Sequence, residues 1–189
     1  MVLVLPVVVG IALALLARGD ARRLASLRFR RIEVFYVAMG FQVLAFPFTF
    51  LPWHTSDGVG IALWLISYGL LVCGAIINRG MTGVPVIAAG MLANIVAVVA
   101  NGGHMPALPS ALRAAGLSLH VRYNSAPSAA PHLPWLVDRW AVPRFIHMGN
   151  VFSVGDVVIA LGTVVLVYAA MGARLPAIPR RAQPIEPAR

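Results

Sequence analysis

The sequence predicts an all-α integral membrane protein with about five transmembrane helices. Of its 189 residues, 60% are hydrophobic and 11% are charged, against roughly 45–50% and 25% in soluble domains. The apolar residues form continuous runs, whereas membrane strands would alternate apolar and polar positions. Composition and pattern together therefore favour helices that cross a bilayer.

Five apolar segments are each close to the length that a spanning helix needs. The first, residues 2–17, rises about 24 Å as a helix. Only Met1 precedes it, whereas a secretory signal would begin with basic residues, so we expect an uncleaved helix. The other predicted helices cover residues 32–51, 59–77, 83–100 and 154–171.

Arginine placement predicts the orientation of these helices. The loop of residues 18–31 holds six arginines and one aspartate, and residues 78–82 and 174–189 also carry arginines, whereas residues 54–58 carry none. Cytoplasmic loops are rich in such residues. We therefore expect an outside N-terminus and a cytoplasmic C-terminus in the bacterial cytoplasmic (inner) membrane. Because the arginines alternate with apolar segments, no nucleic-acid partner is predicted.

Residues 1–173 are predicted to form a single membrane domain, followed by a Pro/Arg-rich cytoplasmic tail at residues 174–189. Between the fourth and fifth helices lies the outer segment, residues 101–153, which is too long for a plain connection. Its Trp135 and Trp140 suit the membrane interface. We expect it to lie on the outer surface or to fold back between helices, with membrane lipid and a membrane protein as candidate partners.

A polar stripe follows one face of the fourth predicted helix. Gly83, Gly90, Asn94 and Asn101 are spaced by seven, four and seven residues, which places them on one side of a helix. Close packing against a neighbouring helix explains the stripe. The functional alternative is a groove that opens outward, with Asn94, Asn101 and His104 as binding residues.

The histidines all fall on the predicted outer side. No pair has the short spacing typical of metal ligands on one helix, so neither a metal site nor a cofactor is predicted. The five are His54, His104, His120, His132 and His147.

Asp156 lies where the last helix should begin, and it has two interpretations. Ser153 and Asp156 form an S-x-x-D pattern, which predicts a helix capping box. In the chemical alternative, Asp138 meets Asp156 if the outer segment folds back, and the two carboxylates share a proton in acid–base hydrolysis. The structural alternative for Asp138 is an ion pair with Arg139 or Arg144.

Three motifs carry a resemblance to a known family. "ANGGHMPALPSAL" (100–112), "PWLVD" (134–138) and "NVFSVGDVVIALG" (150–162) resemble an uncharacterised bacterial membrane family, domain of unknown function 5317. The resemblance extends over roughly residues 1–173. It implies several transmembrane helices and no agreed activity.

A fainter similarity connects the two aspartates to lipoprotein signal peptidases. "LVD", ending at Asp138, "FSVGD", ending at Asp156, and "GMLAN", ending at Asn94, look like motifs of that family in similar order. The similarity implies an aspartyl peptidase with Asp138 and Asp156 as its catalytic pair. Ser153 stands where those peptidases have an asparagine.

Three functions follow from these patterns. Helix packing alone explains every motif, so the leading expectation is a non-catalytic accessory or interaction protein. The alternative is an intramembrane aspartyl hydrolase, in which Asp138 and Asp156 act on a substrate oriented by Asn94. A further alternative is a small transporter along the Asn94 stripe.

Overall fold

The computed structural model describes residues 4–45, 56–117, 125–142 and 149–173. This part of the chain is mostly helical, which confirms the all-α part of the prediction. In chain order the α-helices are α1 (Val4–Leu16), α2 (Ile32–Ala45), α3 (Asp57–Ile77), α4 (Val84–Ala100), α5 (Pro109–Ala114) and α6 (Val154–Ala170). All except α5 lie where the sequence places an apolar segment. Residues 46–51 of the second predicted helix are outside the described ranges.

The apolar helices differ in length. Within the described ranges, α3 alone is long and apolar enough to cross a membrane, with 21 residues and a mean hydropathy of 2.2 over its most apolar window. The other four apolar helices have 10–17 residues.

Helices α4 and α6 are antiparallel and contact each other at paired glycines. A Cβ atom added to Gly90 would lie 2.5 Å from the carbonyl oxygen of Gly155, and one added to Gly162 would lie 2.7 Å from the backbone nitrogen of Ile87. Gly83 faces Gly162 in the same way. The seven-residue spacing puts each pair on one helix face, so the predicted packing role of Gly83 and Gly90 is confirmed.

The remaining helices extend this pair on both sides, in the order α2, α3, α4, α6, α1. Gly74 of α3 receives the ring of Phe35 from α2, with 2.8 Å between a built Cβ and the ring. On the far side, Gly10 of α1 lies against Val167 of α6. Small residues thus bring three helix pairs together, as is usual where helices pack closely.

The outer segment contains short strands and a small core of its own. Strands β1 (Met105–Ala107) and β2 (Ser125–Pro127) pair in parallel, and β3 (Trp140–Val142) and β4 (Asn150–Phe152) pair antiparallel. Apolar side chains of β1, α5 and β4 pack together beside them. These are Ala107, Ala111, Leu112, Ala115 and Val151.

Two asparagines at helix ends hold loops to the bundle. At the end of α4, Asn101 Nδ2 donates to the carbonyl oxygen of His132 at 2.9 Å, and the His132 N–H donates to Asn101 Oδ1 at 2.8 Å. At the end of α3, Asn78 makes the same two-way pairing with the backbone of Arg30, at 3.0 and 2.7 Å. Each asparagine side chain therefore makes the two hydrogen bonds that a neighbouring strand would make with that residue. Asn101 in this way attaches His132 of the outer segment to the end of α4.

Candidate functional site

A cavity of about 90 Å³ lies between the outer segment and helices α3, α4 and α6. It is large enough to admit water, and both aspartates singled out in the sequence line it. The lining residues are Trp64, Tyr68, Asn94, Val98, Met105, Ser125, Asp138 and Asp156.

The backbone of Asp138 is fixed between the two small sheets. Its N–H donates to the carbonyl oxygen of Pro106 and its own carbonyl oxygen accepts from the Leu108 N–H, each at 2.9 Å. These bonds form a parallel bridge to Ala107. On the other side, the Arg139 N–H donates to the carbonyl oxygen of Phe152 at 3.2 Å. The position of Asp138 therefore depends on strand pairing and not on its own side chain.

The Asp138 carboxyl group is buried without a hydrogen-bond partner among the described residues. The residue is only 7% exposed. Burial, together with a smaller effect of the nearby Asp156 charge, raises the pKa of this carboxyl to about 7. A buried carboxyl with no compensating partner favours its neutral form. The Asp138 carboxyl therefore loses its proton around pH 7 and is protonated below that pH.

The predicted ion pair of Asp138 with Arg139 is wrong. Arg139 points instead over the ring of Trp140, at 5.7 Å from the ring centroid. The backbone pairs with Ala107 at Asp138 and with Phe152 at Arg139, and successive side chains of a backbone paired like a strand face opposite sides. Arg144 lies outside the described residues.

Asp156 occupies the third position of α6 and forms the predicted capping box. The Ser153 N–H donates to Asp156 Oδ2 at 3.0 Å, and the Asp156 N–H donates to Ser153 Oγ at 3.1 Å. These two bonds satisfy backbone groups that a helix start leaves free. The capping role of Asp156 is therefore real.

The same carboxylate also contacts α4. Asn94 Nδ2 donates to Asp156 Oδ1 at 2.9 Å, and Ser153 Oγ lies 2.9 Å from Asn94 Oδ1. Asn94 approaches this closely because Gly155 has no side chain: a Cβ there would collide with Asn94 Oδ1. The Asp156 carboxylate therefore both caps α6 and lines the cavity.

Helix α3 supplies an aromatic wall that the sequence analysis missed. Trp64 and Tyr68 are one helical turn apart, with ring centroids 4.2 Å apart, and Trp64 is only 3% exposed. The Tyr68 hydroxyl makes no hydrogen bond within the described ranges. The aromatic pair at i, i+4 beside Ser67 was the available signal, since such pairs share one helix face.

The three predicted binding residues separate in the structure. Asn94 lines the cavity with Asp138 and Asp156. Asn101 instead pairs with His132, and half-buried His104 lies in the turn after α4, away from the cavity lining.

The two aspartate carboxyl groups differ in the hydrogen-bond donors that surround them. The Asp156 side chain accepts hydrogen bonds from the Asn94 amide and the Ser153 backbone. Asp138 has no such donors within the described ranges. One cavity thus contains two carboxyl groups in different environments, a feature that can separate acid and base roles.

Fold and site together define a helical protein in which Asp138 of the outer segment and Asp156 of α6 line one cavity. The chain belongs to the family of unknown function DUF5317, which matches residues 26–168. The predicted family resemblance is confirmed, over a shorter range than the expected residues 1–173. Neither a curated protein nor a solved structure matches the chain, so the similarity to lipoprotein signal peptidases stays a prediction.

Proposed function

We propose that the chain is a multi-pass protein of the bacterial cytoplasmic membrane whose Asp138 and Asp156 hydrolyse a peptide bond. The observation that carries this proposal is the buried, unpartnered Asp138 carboxyl in the same cavity as Asp156. Capping explains why Asp156 is present. No structural role within the described ranges explains the side chain of Asp138.

Exposed apolar side chains support the membrane setting. Leu5 and Leu16 of α1 are 67% and 83% exposed, and Val99 of α4 and Leu161 of α6 are each 58% exposed. Apolar surface spread over several helices indicates lipid contact. The 17 residues of α4 and of α6 each rise about 26 Å, close to the hydrocarbon core of about 30 Å.

Arginine placement supports the five-helix topology, with the N-terminus outside. The arginine-rich residues 18–31 then lie on the cytoplasmic side, and Asn78 joins that loop to the α3–α4 turn containing Arg79. The outer segment follows the other end of α4 and leads to the start of α6, where Asp156 lies. In this topology the carboxylate pair lies on the outer side of the membrane.

The pair acts as an acid and a base on a bound peptide. The Asp156 carboxylate removes a proton from water, and the water oxygen forms a bond to the substrate carbonyl carbon. Asp138 gives its proton to the carbonyl oxygen, producing a tetrahedral intermediate with two hydroxyl groups. The carbon–nitrogen bond then breaks: Asp156 returns its proton to the leaving amine, and Asp138 recovers one from a hydroxyl group.

Asn94 acts as a positioning residue in this scheme. Its amide donates to Asp156 Oδ1, which leaves Oδ2 bonded to Ser153. This fixes the plane of the carboxylate. A base must lie within hydrogen-bond reach of the water that it deprotonates, so the α4–α6 contact contributes to the reaction through Asp156.

An accessory role is the second candidate, and exposed tryptophans favour it. Trp135 is 59% exposed and Trp140 is 42% exposed, both in the outer segment. Exposed aromatic side chains suit lipid headgroups or a protein partner. In this case the variants Trp135→Ala and Trp140→Ala would impair function, whereas Asp138→Asn would not.

Peptide N-termini at the outer membrane surface provide the test. A strain that lacks the chromosomal gene receives wild type, Asp138→Asn, Asp156→Asn or Asp57→Asn, and N-terminal peptides of its membrane proteins are quantified by mass spectrometry. Asp57 is the matched control because it is exposed in the first turn of α3, outside the cavity. Equal membrane levels of the four proteins are verified first.

The hydrolase proposal predicts a set of N-termini that wild type and Asp57→Asn generate and that both cavity variants lose. It is overturned if all four folded proteins give the same N-termini.

A further inference from the structure

The arginine loop, residues 18–31, contains six arginines, and all six are exposed. We propose that this loop is a binding surface for the headgroups of anionic phospholipids. The inference rests on the proposed topology only for the leaflet concerned, which would be cytoplasmic, and it is independent of the carboxylate pair.

One end of the loop is anchored to α6. The Asp20 N–H donates to the carbonyl oxygen of Met171 at 2.9 Å. A 3₁₀ helix, Ala21–Ser26, follows, and its Leu24 packs against the buried cluster that includes Met171. The Arg23 guanidinium lies against Gly172, just beyond α6, where a cation suits the negative end of the helix dipole.

The other end of the loop is anchored to α2 and α3. The Phe29 ring meets the Phe35 ring edge to face, with centroids 5.7 Å apart, and Phe35 itself packs on Gly74. The Asn78 side chain accepts from the Arg30 N–H and donates to the Arg30 carbonyl oxygen. Setting the orientation of a membrane protein needs only positive charge, whereas these anchors also fix where the charges lie.

Backbone conformation supports a fixed shape. Arg18 and Arg31, which begin and end the loop, have φ values of 60° and 55°. This left-handed region favours glycine or asparagine. Two arginines persist there because the surrounding contacts determine the path of the chain.

The positive charge of the loop is largely uncompensated. Asp20 accepts from the Arg22 N–H at 2.9 Å and thereby caps the 3₁₀ helix. Glu33 pairs with Arg31 at 3.5 Å. Within the described ranges no other arginine of the loop forms an ion pair, so Arg22 and Arg28 remain available to an anion.

Chemistry and location both indicate a phospholipid. The planar guanidinium binds phosphate oxygens in pairs, and the loop joins the ends of membrane helices, at the depth where headgroups lie. Arginines beside membrane helices attract anionic lipids. A phosphodiester headgroup held in a membrane therefore fits better than a free anion from solution.

Native mass spectrometry of the full chain in neutral detergent tests the proposal. Phosphatidylglycerol and phosphatidylcholine with the same acyl chains are added separately, and bound lipid is counted. The double variant Arg22→Gln/Arg28→Gln removes two charges from the loop. The matched control, Arg113→Gln/Arg139→Gln, removes two exposed arginines of the outer segment.

We expect wild type and the control to prefer phosphatidylglycerol by about tenfold, and the loop variant to lose most of that preference. Asn78→Ala, which keeps every arginine, should weaken the preference as well, whereas Asn101→Ala should not. Equal retention of both lipids, full retention by the loop variant, or displacement of the lipid by equimolar inorganic phosphate overturns the proposal. None of these outcomes affects the N-terminal profiles that test the hydrolase.

Discussion

Asn94 and Asp156 join α4 to α6 through a single hydrogen bond of 2.9 Å from Nδ2 to Oδ1. The bond is possible because Gly155 leaves room for the asparagine. The Asp156 carboxylate therefore contacts α4, caps α6 and lines the cavity. Helix packing and the proposed chemistry are therefore coupled at this point.

A double-mutant cycle measures that coupling. Asn94→Ala, Asp156→Ala and the double variant are compared by thermal and denaturant unfolding in detergent. Because the two side chains contact each other and share Ser153, we expect a coupling free energy of about 0.5–3 kcal/mol. Additive effects would mean that Asp156 acts only as a cap.

The stability of the protein should depend on pH through Asp138. The pKa of its carboxyl is about 7 in the folded chain and about 4 when unfolded. Between these values the folded state holds the extra proton, so the free energy of unfolding falls as pH rises from about 4 to 7 and levels off above. Replacing Asp138 by asparagine removes this penalty.

We expect Asp138→Asn to raise the free energy of unfolding at pH 8 by about 1–3 kcal/mol and to change it little at pH 4. Unfolding midpoints across this range provide the measurement. Asp57→Asn is the control, since Asp57 is exposed. An Asp138→Asn protein that is less stable than wild type at pH 8 would show that the carboxyl has a stabilising partner.

The glycine contacts between α4 and α6 predict a position-specific effect of alanine. Gly155→Ala places a Cβ on Asn94 Oδ1, and Gly90→Ala places one 2.5 Å from a backbone oxygen. Overpacking of this kind costs about 1–3 kcal/mol. Gly69→Ala in α3 meets no atom within 4 Å and should stabilise its helix by about 0.5–1 kcal/mol.

Thermal unfolding of the three alanine variants checks this prediction. Equal effects at Gly69 and Gly155 would be incompatible with the close helix crossing.

The Asn101–His132 pairing predicts local mobility when it is lost. Asn101→Ala should increase amide hydrogen exchange at residues 131–138, because their attachment to α4 is removed. Asn78→Ala breaks the corresponding pairing with Arg30 and should increase exchange around residues 28–31 instead. Exchange that rises uniformly in both variants would contradict separate anchoring roles.

The apolar segments were readable from the sequence because a spanning helix leaves a long continuous signal. The capping box was readable too, since Ser153 and Asp156 are three residues apart. The sequence identifies Asp138 as a candidate, but it predicts that Asp138 lies near Asp156 only if the outer segment folds back. That approach depends on a backbone bridge to Ala107, and such a long-range pairing leaves no local pattern.

The aromatic wall of the cavity was missed for a related reason. Trp64 and Tyr68 lie in an apolar helix, where any face can be buried against lipid or protein. The face of α3 that carries Trp64 and Tyr68 lines the cavity because the outer segment lies against it. The expected ion pair with Arg139 was wrong because sequence adjacency does not reveal the backbone pairings at Asp138 and Arg139, which direct the two side chains apart.

The protonation state of Asp138 is the most direct test of the account. Infrared spectroscopy of the purified protein detects the C=O stretch of a protonated carboxyl, and hydrated carboxyl groups have lost their protons by pH 6. We predict a band at pH 6 that disappears with a midpoint of about 7, is absent from Asp138→Asn and persists in Asp57→Asn. A wild-type protein without that band, or an Asp138→Asn variant that keeps it, would contradict the carboxylate pair.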